Sequence, residues 1–284
     1  MAELIDGKLV SNYARKIIKE DIENLYLTSG IIPGLAVILV GDNPASEVYV
    51  RNKHKACEDV GINSIQIYMP EETTEEELLL KIDELNRDQN VHGILVQLPL
   101  PRHINEDIII QSISPEKDVD AFHPLNVGKI MVGNYSFLPC TPAGIMTLLD
   151  YYKIDVCGKK CVIVGRSNIV GKPMALLLLE KNGTPTICHS RTENLSSITK
   201  QADILVVAIG KPKFIKADDV KDGAVIIDVG INRLSDGKLC GDVDFIEVEK
   251  KASYITPVPG GVGPMTITTL LKNTLTSAQA WLKK

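Results

Sequence analysis

The chain has 284 residues, 44% of them hydrophobic and 24% charged, with a formal net charge of −5. That composition suits a globular chain long enough for two domains, or for one large α/β domain with a well-buried core. A mild acidic excess with no long basic run argues against a nucleic-acid partner, and no apolar stretch approaches the roughly 18 residues of a membrane span.

The first residues, MAELIDGKLV, show no basic segment followed by an apolar one, so no signal peptide is predicted. Val10, Tyr13, Ala14, Ile17, Ile18 and Ile22 then recur at helical spacing. LAVILVG (35–41) is a short apolar run closed by glycine, the pattern of a buried parallel strand. Asp42 to Ser46 offers capping groups for a helix that carries Tyr49 and Lys53. SIQIYM (64–69) alternates like a strand, Thr73 to Leu85 reads as an acidic helix, and HGILVQL (92–98) as another buried strand. Alternating strand and helix predicts a mostly parallel sheet. From Pro115 to Pro142 periodicity fades, which suggests the crossing between two domains. The alternation then restarts. KCVIVG (160–165), TPTICHS (184–190), ADILVVAIG (202–210) and GAVIIDVG (223–230) read as strands, Lys172 to Lys181 as a helix, and a last helix runs from about Met265 to Leu282.

Six cysteines (57, 140, 157, 161, 188 and 240) lack paired metal spacing; Cys157 and Cys161 come closest, but there is no second pair. Several lie in apolar runs, where cysteine is a small buried hydrophobe. We expect a reducing cytoplasm, no structural disulfide and no metal site.

Several segments carry candidate chemistry. Tyr49 and Lys53, at i and i+4, share one helix face about 6 Å apart at Cβ, a flat stacking surface beside a proton carrier. The same spacing also suits a solvated face, since Arg51, His54 and Lys55 are neighbours. Gln97 lies inside VQLPLP (96–101), where Pro99 and Pro101 end a strand and project its carboxyl end toward a ligand. Asp118 and Asp120 of KDVD, two apart, would lie on the same side of an extended segment, one of them able to accept from an aminopyrimidine-type ring. GRSNIVGKP (165–173) follows a strand and opens a helix, the context of a dinucleotide-binding turn, with Ser167 in place of the second glycine. The helix N-terminus there offers N–H groups to a pyrophosphate. At the end of the next strand stand His189, Ser190 and Arg191 with no acid, and Arg166 projects from the turn. Guanidinium groups suit a 2′-phosphate, so NADP is favoured over NAD. PGGVGPMT (259–266) has more glycines than packing alone suggests, and implies backbone close to a bound molecule.

Together these segments resemble the bifunctional methylenetetrahydrofolate dehydrogenase/methenyltetrahydrofolate cyclohydrolase family. The resemblance covers nearly the whole chain: YVRNKHKA (49–56), GILVQLPLP (93–101), PEKDVDAFHP (115–124), CTPAGI (140–145), GRSNIVGKP, DVGINR (228–233), GDVDF (241–245) and YITPVPGGVGPMT (254–266). It implies a two-domain α/β protein, each domain a mostly parallel sheet flanked by helices, the second Rossmann-like. Residues 1–138 and 265–284 would form the folate-binding catalytic domain and 139–264 the NADP-binding one, with a folate cleft between them and a homodimer formed through the second. By the resemblance Lys53 is the catalytic lysine, Tyr49 stacks on the folate, Gln97 positions Lys53, and Asp120 anchors the pterin. Val96, Leu98, Pro259, Gly260, Gly261, Val262, Gly263 and Pro264 would line the substrate. Gly165, Arg166, Ser167, Ile169, Ser190, Arg191 and Ile231 would hold NADP. The family has glycine after KDVD where this chain has Ala121; if that position needs a positive φ, alanine costs about 1 kcal/mol. Two further readings share these residues: an NADP dehydrogenase with weak cyclohydrolase activity, and a non-catalytic NADP-binding homologue.

Overall fold

The structure, a computed structural model, describes residues 1–282. Along the chain run β1 (Glu3–Leu4), α1 (Gly7–Ser29), β2 (Gly34–Val40), α2 (Pro44–Val60), β3 (Asn63–Met69), α3 (Glu75–Arg87), β4 (Gly93–Val96), α4 (Glu106–Ser112), α5 (Pro124–Met131) and α6 (Cys140–Tyr151). Then come β5 (Lys160–Val164), α7 (Gly171–Glu180), β6 (Thr184–Cys188), α8 (Leu195–Thr199), β7 (Ile204–Val207), β8 (Val225–Asp228), β9 (Asn232–Arg233), β10 (Leu239–Cys240), α9 (Phe245–Val248), β11 (Tyr254–Ile255) and α10 (Val262–Trp281). They form two compact units, residues 13–138 with 267–284, and residues 1–12 with 139–266.

The first unit is built on a parallel sheet of order β3-β2-β4, with Ile38 of β2 opposite both Ile67 and Val96. All seven residues of β2 are buried. A central parallel strand is covered on both faces, which explains why its sequence is continuously apolar rather than alternating. Leu78 and Ile82 of α3 close one face of this core with Ile94 and Ile109. Thr74 starts α3 through a capping box with Glu77, so two of the helix's unpaired N–H groups find acceptors.

The second unit carries a six-stranded sheet of order β1-β11-β8-β7-β5-β6, all pairs parallel. The chain winds outward from β5 to β6 and then returns to the other side of β5 at β7. Ligands bind where strand order reverses in such sheets, so the ends of β5 and β7 mark the expected site. The division differs from the expected one at the N-terminus. Residues 1–12 join the second unit because β1 pairs with β11, and Ile5 N–H donates to Ile255 O at 2.9 Å.

Two elements depart from the sequence expectation. The aperiodic stretch 115–142 contains α5, whose eight residues are too few to show a period. It starts because His123 Nδ1 accepts from Leu125 N–H and Pro124 fits the first turn. The last helix begins at Val262, earlier than expected. Pro264 then falls in the first turn, where an N–H has no partner within the helix, so its imino ring is tolerated. Cys57, Cys140, Cys161 and Cys188 are buried free thiols, whereas Cys157 is exposed and Cys240 half-buried. No helix among the described residues is long and apolar enough to cross a membrane.

Candidate active site

In the first unit the site starts at the loop that opens α2. Asn43 Oδ1 accepts from Ser46 N–H at 3.2 Å and Asn43 O from Glu47 N–H at 3.0 Å, a side-chain cap of the expected kind. Val50, Ala56, Cys57 and Val60 bury one side of the helix. Tyr49 is 43% exposed, and Lys53 is half-buried at the edge of the packed face. Lys53 Nζ donates to Gln97 Oε1 at 3.0 Å. Gln97 follows β4. Its backbone N–H donates to Ile38 O at 2.8 Å and its Nε2 to Leu98 O at 2.7 Å. The amide can satisfy both neighbours in one orientation only, with oxygen toward the lysine. Leu98–Pro99 is a cis peptide.

The expectation of an extended segment is corrected: Asp118 is bridged to β4 and Asp120 lies in the turn after it, although both border one small hollow. Asp118 pairs with Ile94 as an isolated parallel bridge, and the chain turns immediately after it. Its carboxylate accepts from Phe122 N–H at 3.2 Å, His123 N–H at 2.8 Å and Asn126 Nδ2 at 2.8 Å. Burial pushes its pKa up, against those hydrogen bonds. It organises the loop. Asp120 is half-buried and lines a small hollow with Val96, Leu98 and Phe122. The hollow places Asp120 beside Val96 and Leu98, the residues on either side of Gln97. Ala121 adopts φ +58, the conformation in which its methyl group is strained.

In the second unit, the turn 165–170 joins β5 to α7. Gly165 has φ +136, and a Cβ there would lie 2.4 Å from Ala208 O, so no other residue fits. Ser167 Oγ accepts from Val170 N–H at 3.1 Å and Gly171 N–H at 3.3 Å. That arrangement leaves its own O–H to donate outward. Arg166, Ser167, Ser190 and Arg191 are exposed, as is Ile169. These features fit a dinucleotide: a turn stripped of side-chain bulk, hydroxyl and guanidinium groups, and the N-terminus of a ten-residue helix. The glycines of PGGVGPMT divide in function. Gly260 has φ +108 and Gly261 packs within 2.6 Å of Pro257 O at an added Cβ, so the fold requires both. Gly263 would meet only Ile231 Cδ1, at an ordinary 3.7 Å, which leaves room beside it for a ligand.

Two family models match the chain, the tetrahydrofolate dehydrogenase/cyclohydrolase catalytic domain over residues 5–120 and the NAD(P)-binding domain of the same family over residues 139–282. This chain belongs to the tetrahydrofolate dehydrogenase/cyclohydrolase family. It is a bifunctional enzyme of that family, as its sequence motifs imply. A bifunctional protein FolD from Acetivibrio thermocellus is 58% identical over 282 residues, 99% of each chain. One from Agathobacter rectalis is 61% identical over 273 residues, 96% of this chain and 98% of the other. The bifunctional FolD enzyme of Campylobacter jejuni superposes with a TM-score of 0.97 at 55% identity, covering 99% of this chain and 100% of its own. The Trypanosoma brucei dehydrogenase-cyclohydrolase, solved with NADP and an inhibitor, gives 0.96 at 38% identity, covering 100% of this chain and 99% of its own.

What the motifs of this tetrahydrofolate dehydrogenase/cyclohydrolase chain did not reveal is the support around Asp120. Asn273 Nδ2 of α10 donates to Val119 O at 2.8 Å and Leu138 O at 3.0 Å. Ser277 Oγ lies 2.6 Å from His92 O and 2.9 Å from Glu116 O, so its one O–H is shared between the two carbonyls. Lys117, 2% exposed, donates to Leu85 O and Asp88 O at the end of α3, an arrangement that suits the negative end of a helix. Asn273 and Ser277 stand among other polar residues of α10 (TTLLKNTLTSAQ), so no signal in the sequence singles them out.

Proposed function

We propose that this enzyme performs two successive steps: NADP-dependent oxidation of 5,10-methylenetetrahydrofolate to 5,10-methenyltetrahydrofolate, then hydrolysis to 10-formyltetrahydrofolate. The observation that carries this reading is the Lys53–Gln97 hydrogen bond, a proton carrier held by a fixed amide at a strand end. NADP, when bound, supplies the nicotinamide ring that accepts the hydride from the methylene carbon. Gly165, Arg166, Ser167, Ile169, Ser190, Arg191 and Ile231 would hold it. The arginines and the missing acid after β6 favour the 2′-phosphate form.

For the folate, Tyr49 offers its ring as a stacking face and Asp120 its carboxylate to the amino group and ring N–H of the pterin. Val96, Leu98 and the backbone from Pro259 to Pro264 would line the substrate. Binding of this kind aligns the reacting carbon, and alignment supplies a large share of a rate enhancement. In the second step water adds to the methenyl carbon. Lys53 takes the first proton of that water, the bond from the carbon to N5 opens as the hydroxyl loses the second proton and N5 gains one, and the formyl group stays on N10. One water enters and one proton leaves. Lysine can accept a proton only as the neutral amine. By accepting one of its N–H bonds, Gln97 Oε1 fixes where the amine's lone pair points.

Formyl transfer to purine precursors is a use of this product that the reading accommodates. The enzyme would work in the cytoplasm as a homodimer through the second unit. Support for pairing comes from β6, an edge strand whose Ile187 is exposed, and from Leu179 on the neighbouring α7. Four cysteines packed as core thiols suit a reducing compartment.

The test is a spectrophotometric assay with methylenetetrahydrofolate and either NADP or NAD, following reduced cofactor and the methenyl chromophore together. The reading expects reduced NADP to form faster than reduced NAD, with little methenyl build-up. Reduced cofactor with accumulating methenyl would favour a dehydrogenase with a weak second step. No turnover by a folded, NADP-binding protein would remove the enzymatic reading.

A further inference from the structure

The DVGINR and GDVDF segments contribute two aspartates that the two reaction steps do not use, and both are buried: Asp228 is 3% exposed and Asp242 0%. Asp242 Oδ2 accepts from Ile209 N–H at 2.7 Å and Gly210 N–H at 2.9 Å. Its Oδ1 accepts from Lys211 N–H at 2.8 Å and Asn232 Nδ2 at 2.9 Å. One carboxylate thus gathers three successive amides from the loop after β7 and a side chain from the loop after β8. Asp228, at the end of β8, holds Asp242 in turn. Its Oδ1 accepts from Asp242 N–H at 2.9 Å and Gly230 N–H at 3.0 Å, and its Oδ2 from Val243 N–H at 2.9 Å. The shell is closed. A Cβ on Gly230 would lie 2.3 Å from Asp242 Cγ, and one on Gly241 would lie 1.8 Å from Asp228 Oδ2.

The loops so gathered touch the cofactor machinery at two points. The loop after β7 begins at Ala208, whose carbonyl lies against Gly165 of the dinucleotide turn. Ile231 stands between Gly230 and Asn232, both held by the carboxylate pair, and is 47% exposed. We propose that Asp242 is a positioning residue for NADP: it ties the loops after β7 and β8 together and so sets the wall that Ile231 presents to the cofactor. The proposal rests on the functional reading above. Burial pushes the Asp228 carboxyl up to about 7, the charge of Asp242 acting the same way and the backbone hydrogen bonds against it. Buried carboxylates are costly unless fully hydrogen-bonded. Retaining two of them here has a return in the geometry they impose.

The experiment compares wild type with Asp242→Asn in the full chain, measuring two things. One is the KM for NADP and kcat of the dehydrogenase step. The other is hydrolysis of methenyltetrahydrofolate supplied directly, without NADP. Asparagine keeps one acceptor oxygen, so two of four donors lose their partner. The expected result is a KM for NADP raised about tenfold or more, a smaller change in kcat, and hydrolysis within about twofold of wild type. Asn232→Ala, which removes one donor and leaves the carboxylate on its backbone amides, is expected to raise the KM less, and it decides the matter if Asp242→Asn does not fold. Asp244→Asn, at a carboxylate paired with Lys216, is expected to change neither activity. A wild-type KM for NADP in folded Asp242→Asn or, failing that variant, in Asn232→Ala overturns the proposal. So does an equal loss of both activities, which would mark a purely structural role. Failure of wild type itself to reduce NADP would instead strike the functional reading.

Discussion

Lys53 and Gln97, 44 residues apart in the chain, meet at 3.0 Å from Nζ to Oε1. One stands on a helix and the other at the end of a strand, and the amide is held from behind by Leu98 O. Because the glutamine is neutral, it orients the lysine without fixing a charge on it. Replacing Gln97 by Glu would turn a neutral contact into an ion pair that favours the ammonium form. We predict a cyclohydrolase rate about 100-fold lower near neutral pH, recovering in part as pH rises. The pH–rate profile of methenyltetrahydrofolate hydrolysis checks this. An unchanged profile would mean that the proton carrier is not Lys53.

Asn273 shows how a residue distant in sequence serves the site. Its Nδ2 satisfies the carbonyls of Val119 and Leu138 together, and Val119 adjoins Asp120. Asn273→Ala leaves two acceptors without this donor, so we predict a stability loss of about 1–3 kcal/mol. We also expect a raised KM for folate with NADP binding intact. Denaturant unfolding and the two KM values measure both halves of that prediction.

His92 gives the first unit a pH dependence. Its Nδ1 accepts from Gly34 N–H at 3.0 Å, so the fold needs the neutral ring. Burial first, and then the charge of Lys117, hold its pKa below the usual 6.5, with Asp88 acting the other way. Trp281 covers one side edge-on. The unfolded chain therefore takes up this proton at a higher pH than the folded one. Stability from this group is present above about pH 6.5 and is lost as pH falls toward the lower folded value. Because the Asp228 carboxyl, raised to about 7, acts in the opposite direction over this range, the decline is read as the difference in unfolding midpoint between wild type and His92→Asn from pH 8 to pH 5. His92→Asn, whose Oδ1 can accept from the same N–H, should lack it.

Ala121 sits at φ +58 and is fully buried. Changing it to Gly relieves about 1–2 kcal/mol of left-handed strain. It also gives up about 0.8 kcal/mol of methyl burial and adds unfolded-chain entropy of about 0.4–1 kcal/mol. These contributions nearly cancel, so we predict a change within about 1 kcal/mol in either direction and unaltered kinetics. A loss above about 2 kcal/mol would mean that the methyl group has a packing role beyond its area.

Much of this architecture was legible in the sequence because it rests on local signals. LAVILVG (35–41) could be read as a buried strand since all seven residues of β2 are buried. The turn at Gly165 could be read because a strand, a glycine and a helix start adjoin one another. What escaped was non-local. Nothing near Glu3 announces that β1 pairs with β11, some 250 residues away, and this pairing moves residues 1–12 into the second unit. The two aspartates of KDVD look equivalent in sequence. The bridge between Ile94 and Asp118 and the side chain of Asn126 single out Asp118 as the residue that organises the loop. Short α5 carries too few residues for periodicity, and only its cap betrays it.

The central claim is that Lys53 carries the proton of the hydrolytic step. It is tested most directly by Lys53→Met, with methenyltetrahydrofolate hydrolysis and NADP affinity measured on the same folded preparation. The account predicts hydrolysis no faster than the uncatalysed reaction, alongside a wild-type Kd for NADP. Hydrolysis at the wild-type rate would contradict it and move the proton chemistry to another group.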